Sequence, residues 1–217
     1  DVYKRQPLAP DYNFSLKGKE AYIQAAITAL SKLTSGKIYL GVAKAADSVF
    51  ANISEVEMHT VSGPHPSGNV GTQINKIAPI NKGETVWTIA PENLAIIGEL
   101  FLTGKFNPER VISVAGSGVK APKYYRTKIG AEVSTFAYSA GVEGDNVRMI
   151  SGNVLTGAQV AADGHLGYYH NEFTVIPEGD DYELFGWNKP VFNKISSSRA
   201  LTFSWLFPNK KYDLDTN

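Results

Sequence analysis

The chain of 217 residues contains no cysteine. Disulfide bonds, zinc sites held by thiolates and iron–sulfur clusters ligated by cysteine are therefore excluded within these residues. Neither sign of charge predominates, because 21 basic residues balance 21 acidic residues. The composition therefore indicates neither an electrostatic surface for nucleic acid nor a polybasic membrane anchor.

Long apolar runs are also missing. The longest, around residues 94–102 and 201–207, are shorter than the ~20 residues that span a bilayer. The first seven residues lack the apolar core of a signal peptide and contain no initiator methionine. The last eight residues add no closing element. We therefore expect both ends to be cut from a longer protein.

The first half of the chain has the pattern of an α/β domain. Apolar spacing predicts a helix over residues 21–33, capped by Gly36, with Ile23, Ile27, Leu30 and Leu33 on its buried face. Pro91 is predicted to begin a second helix that Gly104 ends. Its expected buried residues are Leu94, Ile97, Leu100 and Phe101. Residues rich in β-branched and aromatic side chains predict strands at 37–42, 56–61, 85–89 and 110–115.

The sequence pattern changes near residues 116–121, where helix-length apolar periodicity ends. Short strands are predicted at 124–129, 146–151 and 173–176, with one short helix at 132–138. This pattern favours a smaller α+β or β-rich domain. The tail after residue 187 is expected to pack along the surface or against absent parts. Its aromatic side chains are Phe192, Phe203, Trp205 and Phe207.

The most constrained segment is the glycine-rich loop, residues 61–72. It contains three glycines, two prolines and His65 within twelve residues. Proline fixes φ and pushes the preceding residue towards extended backbone, while glycine allows close approach of the main chain. The segment is therefore predicted to hold His65 and several backbone amides in a defined shape.

Known chemical motifs do not account for this loop. It matches neither Gly-x-Gly-x-x-Gly nor the phosphate-binding Gly-x-x-x-x-Gly-Lys-Ser/Thr pattern, and it does not clearly run from a strand into a helix. Neither Ser62 nor Ser67 has an evident base partner beyond His65, and there is no Gly-x-Ser-x-Gly motif. An irregular loop that buttresses a sheet edge remains the alternative to a phosphate cradle.

The remaining histidines do not form a recognisable metal or catalytic pattern. His59 and His65 are flanked by Glu55 and Glu57, but the three-ligand spacing of a catalytic zinc site is missing. A second pair, His165 and His170, favours a β-hairpin connection with surface histidines. No metal site and no catalytic residue are therefore predicted.

Five segments, in matching order over nearly the whole chain, resemble the A subunit of the bacterial sodium-translocating NADH:quinone oxidoreductase. Residues 63–74 resemble that family's Gly-x-His-Pro-Ala-Gly-x-x-Gly-Thr-His-Ile pattern. The others are residues 33–40, residues 85–89 followed by 95–98 and 102–104, the Ser-Gly-Asn-Val-Leu-Thr-Gly segment at 151–157, and residues 214–216.

The resemblance implies a fold and a domain division. It implies an incomplete Rossmann-like α/β domain at residues 1–118 and a β-grasp, soluble-ligand-binding domain at residues 119–190. Residues 191–217 would then lead to a missing C-terminal domain. Members of the family are about twice this length.

The resemblance also implies a function. The chain would be part of a peripheral subunit on the cytoplasmic face of the bacterial inner membrane, without a transmembrane segment or catalysis of its own. Its partners would be quinone and the other subunits, chiefly the quinone-proximal membrane subunit. No cofactor is expected in this chain, because FMN and iron–sulfur clusters would belong to other subunits.

Within the family pattern, seven positions of this chain become candidate contacts for quinone or a neighbouring subunit. They are Gly63, His65, Pro66, Gly68, Gly71, Thr72 and Gln73. Gln73 stands where the family has histidine, and glutamine does not titrate near neutrality. Two alternatives remain: a scaffold with quinone bound elsewhere, and residual nucleotide or flavin binding in the α/β domain.

Overall fold

The computed structural model describes residues 9–43, 48–63, 66–144, 146–179, 184–192, 194 and 201–207. The first part forms a small α/β unit around a two-stranded parallel sheet, β1–β2, in which Tyr39 pairs with Glu57 and Val42 with Thr60. The elements of this part are α1 (Tyr12–Ser15), α2 (Glu20–Leu30), β1 (Tyr39–Val42), β2 (Glu57–Thr60), α3 (Val70–Ile77) and α4 (Pro91–Thr103).

Helix α2 carries the predicted apolar stripe into the first core. Ile23 and Ile27 are fully buried there and pack with Val42 of β1 and Leu94 of α4. The predicted end of the helix is wrong, since α2 stops at Leu30 and Ser31, rather than Gly36, is its C-cap. Leu33 therefore lies outside the helix and is 82% exposed.

Helix α4 begins at Pro91 and ends before Gly104, which adopts the left-handed conformation expected of a C-terminal cap. Its buried face differs from the prediction. Leu94 is buried as expected, together with Ala95, Ile96 and Gly98. Leu100 and Phe101 are exposed, because the last turn of α4 extends beyond the core that covers its first turns.

Residues 85–89 do not form the predicted strand. The segment has no turn or bend, but none of its backbone amides donates a hydrogen bond to a residue that the structure describes. Strand propensity yields a strand only where a partner edge is available. Here no described strand pairs with it, and the side chain of Trp87 is 92% exposed.

The second part is a five-stranded mixed sheet covered on one face by a short helix. Strand order is β4-β3-β7-β5-β6, with β3 and β7 parallel and the other neighbours antiparallel. Its elements are β3 (Glu109–Ala115), β4 (Lys123–Lys128), α5 (Val133–Ala140), β5 (Val147–Ser151), β6 (Ala158–Gln159) and β7 (Glu172–Pro177).

Helix α5 and the sheet share the second core. Phe136 packs on Phe173 with ring centroids 5.5 Å apart, and Ile112, Val114 and Val175 are buried in the same cluster. The strands predicted at 124–129, 146–151 and 173–176 and the helix at 132–138 are confirmed to within two residues.

Strand β3 belongs to this second sheet, whereas we expected it in the first domain. It pairs along its length with β4 and, over Ser113–Ala115, with β7. The sequence pattern could not reveal this, because a buried parallel strand has the same composition in either sheet. The chain therefore has a mixed α/β architecture with two separate sheets, and none of its described helices is long and apolar enough to cross a membrane.

Candidate functional site

The glycine-rich loop leaves the carboxyl end of β2 and leads directly into α3. The expectation that it does not run from a strand into a helix is therefore wrong. In α/β proteins, ligands bind beyond the carboxyl ends of parallel strands, which is where this loop lies. His65, a candidate contact residue, and Pro64 lie outside the described residues.

The described part of the loop is shaped by its own hydrogen bonds. Gly63 has a φ of +126°, a value that side chains disfavour. The hydroxyl of Ser67 donates to the Gly63 carbonyl oxygen at 2.9 Å, and the amide of Asn69 donates to the Pro66 carbonyl oxygen at 2.8 Å. Gly68 is buried beneath the turn.

Gln73 connects the loop to the sheet. Its side-chain nitrogen points at the carbonyl oxygens of Ser67 and Gly68, 3.4 and 3.5 Å away. Its side-chain oxygen lies against Gly41 of β1, so closely that a Cβ at Gly41 would overlap with it. Both ends of this amide thus face the protein itself, and Gln73 supports the loop from behind.

The opposite side of α3 is open. None of its residues is buried, Val70 is 52% exposed, and a Cβ added at Gly71 would meet nothing within 4 Å. Thr72 is half-buried. The described candidate residues therefore divide into a supporting set, Gly63, Gly68 and Gln73, an outward set, Pro66 and Gly71, and Thr72, which is half-buried.

His59 takes part in a surface ion-pair network on the two-stranded sheet. Its Nε2 lies 3.1 Å from Glu57, which also accepts a hydrogen bond from Lys37 at 2.8 Å. The Lys37 hydrogen bond lowers the pKa of Glu57, and His59 adds to the shift. Among the described residues, no three His, Cys, Asp or Glu side chains are grouped to hold a metal ion.

His170 is half-buried in the second sheet domain, whereas we expected it on the surface. The amide of Gly167 donates to Ser151 Oγ at 2.8 Å, so the Ser151 hydroxyl can donate to His170 Nδ1, 2.7 Å away. Burial lowers the pKa of His170 and favours this neutral imidazole. His165, by contrast, is exposed as predicted.

The Ser-Gly-Asn-Val-Leu-Thr-Gly segment at 151–157 forms a tight turn next to this histidine. Asn153 Oδ1 accepts hydrogen bonds from the amides of Leu155 at 2.8 Å and Thr156 at 2.9 Å. The turn borders a polar cavity of about 180 Å³. The cavity is lined by Gly152, Asn153, Thr156, Tyr169, His170, Asn171 and Glu172.

Glu172, at one wall of this cavity, is a buried carboxyl group. It is 4% exposed, and burial raises its pKa to about 7, reinforced by the negative charge of Glu92 and opposed by a hydrogen bond from Asn153. Sequence reasoning missed Glu172. The only signal was its place immediately before the strand predicted at 173–176.

Ser151 and His170 are paired inside the second domain and not at its surface. Ser151 is 1% exposed, so its hydroxyl cannot reach a substrate without opening of the domain. His170 Nδ1 is occupied by that hydroxyl. The arrangement can bind small polar groups and hold protons.

Aromatic side chains in the tail form a partly exposed cluster. Phe192 contacts Phe203 and Phe207 with ring centroids 5.3 and 6.4 Å apart. Trp205 and Phe207 are each about half exposed. Exposed aromatic side chains of this kind are typical of surfaces that other polypeptide segments cover.

Comparison with known proteins shows similarity along almost the whole chain. The family model described as "NqrA second alpha/beta domain" matches residues 1–106, and the model described as "NQRA C-terminal domain" matches residues 111–162. The first match ends before β3, and the second begins within it, so most of β3 falls in the second match.

Three curated relatives share one name, that of the A subunit of a Na(+)-translocating NADH-quinone reductase. The Neisseria meningitidis protein is 41% identical over 211 residues, the Vibrio atlanticus protein 38% over 212 and the Shewanella frigidimarina protein 36% over 213. These alignments cover 97–98% of this chain but 47% of each relative, so the chain spans about half their length. Given this identity along its whole length, the chain belongs to the NqrA family, the A subunits of Na(+)-translocating NADH-quinone reductases.

Proposed function

We propose that the chain contributes to quinone interaction and to the assembly of a sodium-pumping NADH:quinone oxidoreductase, through the outward side of the glycine-rich loop and α3. The names of its relatives supply the complex. The observation that supports this site is the contrast within the loop: Gln73 and Ser67 fix it from behind, while Gly71 faces open space.

A rigid loop with one solvent-exposed side is better suited to contact with a ligand or a neighbouring subunit than to catalysis. A quinone needs an apolar surface and one or two hydrogen-bond donors for its carbonyl oxygens. Val70 offers exposed apolar surface on α3. Thr72 carries a hydroxyl that can donate a hydrogen bond; it is half-buried and, two residues further along the helix, lies on a different face from Val70. His65 is included in the proposed contact site because of its position in the sequence, between Gly63 and Pro66.

Gly71→Leu tests the outward surface in the assembled complex. The added side chain meets open space in this chain, so its thermal midpoint should not fall. The complex should lose the variant protein on purification, or should reduce quinone at least tenfold more slowly, because the leucine occupies the contact surface. Gly36→Leu is the matched control, since a Cβ there makes only an ordinary 3.5 Å contact.

His65→Ala provides the second arm of this test. We expect it to weaken quinone reduction or assembly. If Gly71→Leu and His65→Ala both leave the complex intact and quinone reduction unchanged, the loop is only a scaffold and quinone binds elsewhere.

A second candidate function is residual nucleotide or flavin binding at the same loop. It is favoured by the strand–loop–helix order at the end of a parallel sheet, which is the setting of phosphate-binding loops. The absence of the glycine fingerprint argues against it. FMN or NADH at 100 times its dissociation constant would stabilise the chain by about 2.7 kcal/mol. A thermal scan measures this as a rise in the unfolding midpoint. An unchanged midpoint with either ligand at millimolar concentration eliminates this function.

We also propose the finer fold assignments. The order β4-β3-β7-β5-β6, with parallel central strands β3 and β7 and a helix between β4 and β5, supports a β-grasp domain. The parallel pair β1–β2 with α2 and α4 supports a partial Rossmann-like domain. For the whole protein we propose a peripheral position on the cytoplasmic side and contact with the quinone-proximal membrane subunit, both of which follow from the resemblance.

A further inference from the structure

Five polar side chains connect the α/β unit to the second sheet, and we call them the junction cluster: Tyr12, Glu92, Arg110, Asn171 and Glu172. Asn171 is the central link. Its side-chain nitrogen donates to Tyr12 Oη at 3.0 Å and to Glu92 Oε1 at 2.5 Å, while its backbone carbonyl accepts from the amide of Ser113 at 3.1 Å. One residue thereby joins α1, α4 and β3.

The junction cluster is buried but not balanced in charge. Glu92, Arg110 and Glu172 are each at most 6% exposed. Arg110 directs Nη1 at the carbonyl oxygens of Tyr168 and His170, 2.8 and 3.1 Å away, and its Nε and Nη2 have no hydrogen-bond partner among the described residues. Oε2 of Glu172 also lacks such a partner. The Arg110 guanidinium thus attracts Glu92 without a direct hydrogen bond, and Glu172 gains no comparable attraction from it.

Every element around Glu172 contributes a polar group. Tyr12 comes from α1, Glu92 from α4, Arg110 from β3, and Asn153 from the turn after β5. His170 precedes β7 and is held neutral by burial and by Ser151. Of these groups, Glu92 opposes a negative charge on Glu172, and Asn153 supports it through a hydrogen bond.

We propose that the proton on Glu172 acts as a pH-sensitive latch that holds α1 and α4 against the five-stranded sheet. With the proton in place, Glu172 is neutral, and any negative charge of the cluster lies on Glu92, whose own pKa is also raised by burial. Loss of the proton puts a second negative charge beside Glu92 in a buried contact. The contact of α1 and α4 with Asn171 then weakens, while the sheet keeps its apolar core.

The direction of the pH response follows from burial. The pKa of Glu172 is raised from an ordinary 4.5 to about 7 in the folded chain. The folded state therefore keeps this proton where the unfolded state has released it, and the contribution to stability is lost as the pH rises towards 7. The contact of α1 and α4 with the five-stranded sheet is therefore stronger at pH 5.5 than at pH 8.

NMR of the isotope-labelled chain tests the latch directly. The Glu172 carboxyl carbon should titrate with a midpoint near pH 7, and backbone amides of α1 and of the first turn of α4 should shift with the same midpoint. Hydrogen exchange of α1 and α4, corrected for the intrinsic pH dependence, should accelerate by up to about 30-fold between pH 5.5 and 8, since opening that exposes Glu172 returns its pKa from about 7 to 4.5. Amides of Phe173 and Val175 should remain better protected than those of α1 and α4 at both pH values, because the sheet keeps its apolar core.

Two variants and a control make the test specific. Glu172→Gln should abolish the shared titration and keep exchange of α1 and α4 at the slow, acidic value. Glu92→Gln should lower the Glu172 midpoint, because the opposing charge is gone. Glu143→Gln, at an exposed ion pair with Lys120, should behave as the wild type. A Glu172 midpoint below pH 5.5 overturns the proposal, and so does a pH response of α1 and α4 that persists in Glu172→Gln. If Glu172→Gln fails to fold, the Glu172 midpoints of the wild type and of Glu92→Gln decide: equal midpoints overturn the proposal.

Discussion

Single buried polar atoms organise the second domain more than its sequence pattern suggested. Ser151 Oγ accepts from Gly167 N–H and donates to His170, and so connects β5 to the segment that precedes β7. His170 lies beside Gly152 and Gly167, where a Cβ would contact its ring at 3.2 and 2.7 Å. The His170 ring therefore requires glycine at positions 152 and 167, and Ser151 supplies the hydroxyl that holds the ring in place.

Ser151→Ala should destabilise the chain by about 1–3 kcal/mol, because it leaves a buried amide and a buried imidazole nitrogen without partners. The urea midpoint at pH 7 measures this loss, with an unchanged m-value. Ser139→Ala, at an exposed position of α5, is the control and should change the free energy of unfolding by less than about 0.5 kcal/mol. Equal midpoints for the two variants would show that the Ser151–His170 contact contributes nothing.

At the scale of elements, the contact between α2 and α4 depends on one glycine. A Cβ at Gly98 would overlap with the carbonyl oxygen, carbonyl carbon and Cα of Tyr22. The two helices therefore approach backbone to backbone at this point. Gly98 belongs to one of the segments that resemble the family, and close helix packing gives a physical reason for glycine there.

Gly98→Ala should lower the free energy of unfolding by roughly 2–3 kcal/mol, because the helices must separate to admit the methyl group. Differential scanning calorimetry would report the change. Gly71→Ala on α3 is the matched control: its Cβ meets open space, so it should be neutral or stabilise by up to about 1 kcal/mol. A Gly98→Ala chain as stable as Gly71→Ala would contradict the backbone contact.

Helices α2, α4 and α5 and most strands could be predicted because their signals are local, whereas α1 and α3 were not predicted. Pro91 and Gly104 mark the two ends of α4 through their own backbone preferences. Residues 85–89 show the opposite case. Their composition predicts a strand, but a strand requires a second strand for its hydrogen bonds, and the structure describes none beside them.

At the scale of the whole molecule, β3 determines where one unit ends and the next begins. It provides Ile112 and Val114 to the second core and lies between β4 and β7 in the sheet. We therefore propose that the second domain begins before β3, in residues 104–108, rather than near residue 118.

Two fragments of the chain test this division. Residues 105–179 should unfold cooperatively and give a dispersed NMR spectrum, whereas residues 119–179 should not, because β4 and β7 lose the strand that joins them. Circular dichroism during thermal unfolding distinguishes the two. A cooperative transition in residues 119–179 would instead place the domain start after β3.

The sequence alone determined the class of fold, the positions of most helices and strands, the glycine-rich loop and the family, since these depend on local backbone preferences and on ordered motifs. Only the tertiary structure decided that β3 joins the second sheet, that Gln73 supports the loop from behind, and that Glu92, Arg110 and Glu172 meet at one buried junction. The physical reason is distance along the chain: Glu92 and Asn171 are 79 residues apart, and no local preference specifies a contact of that range.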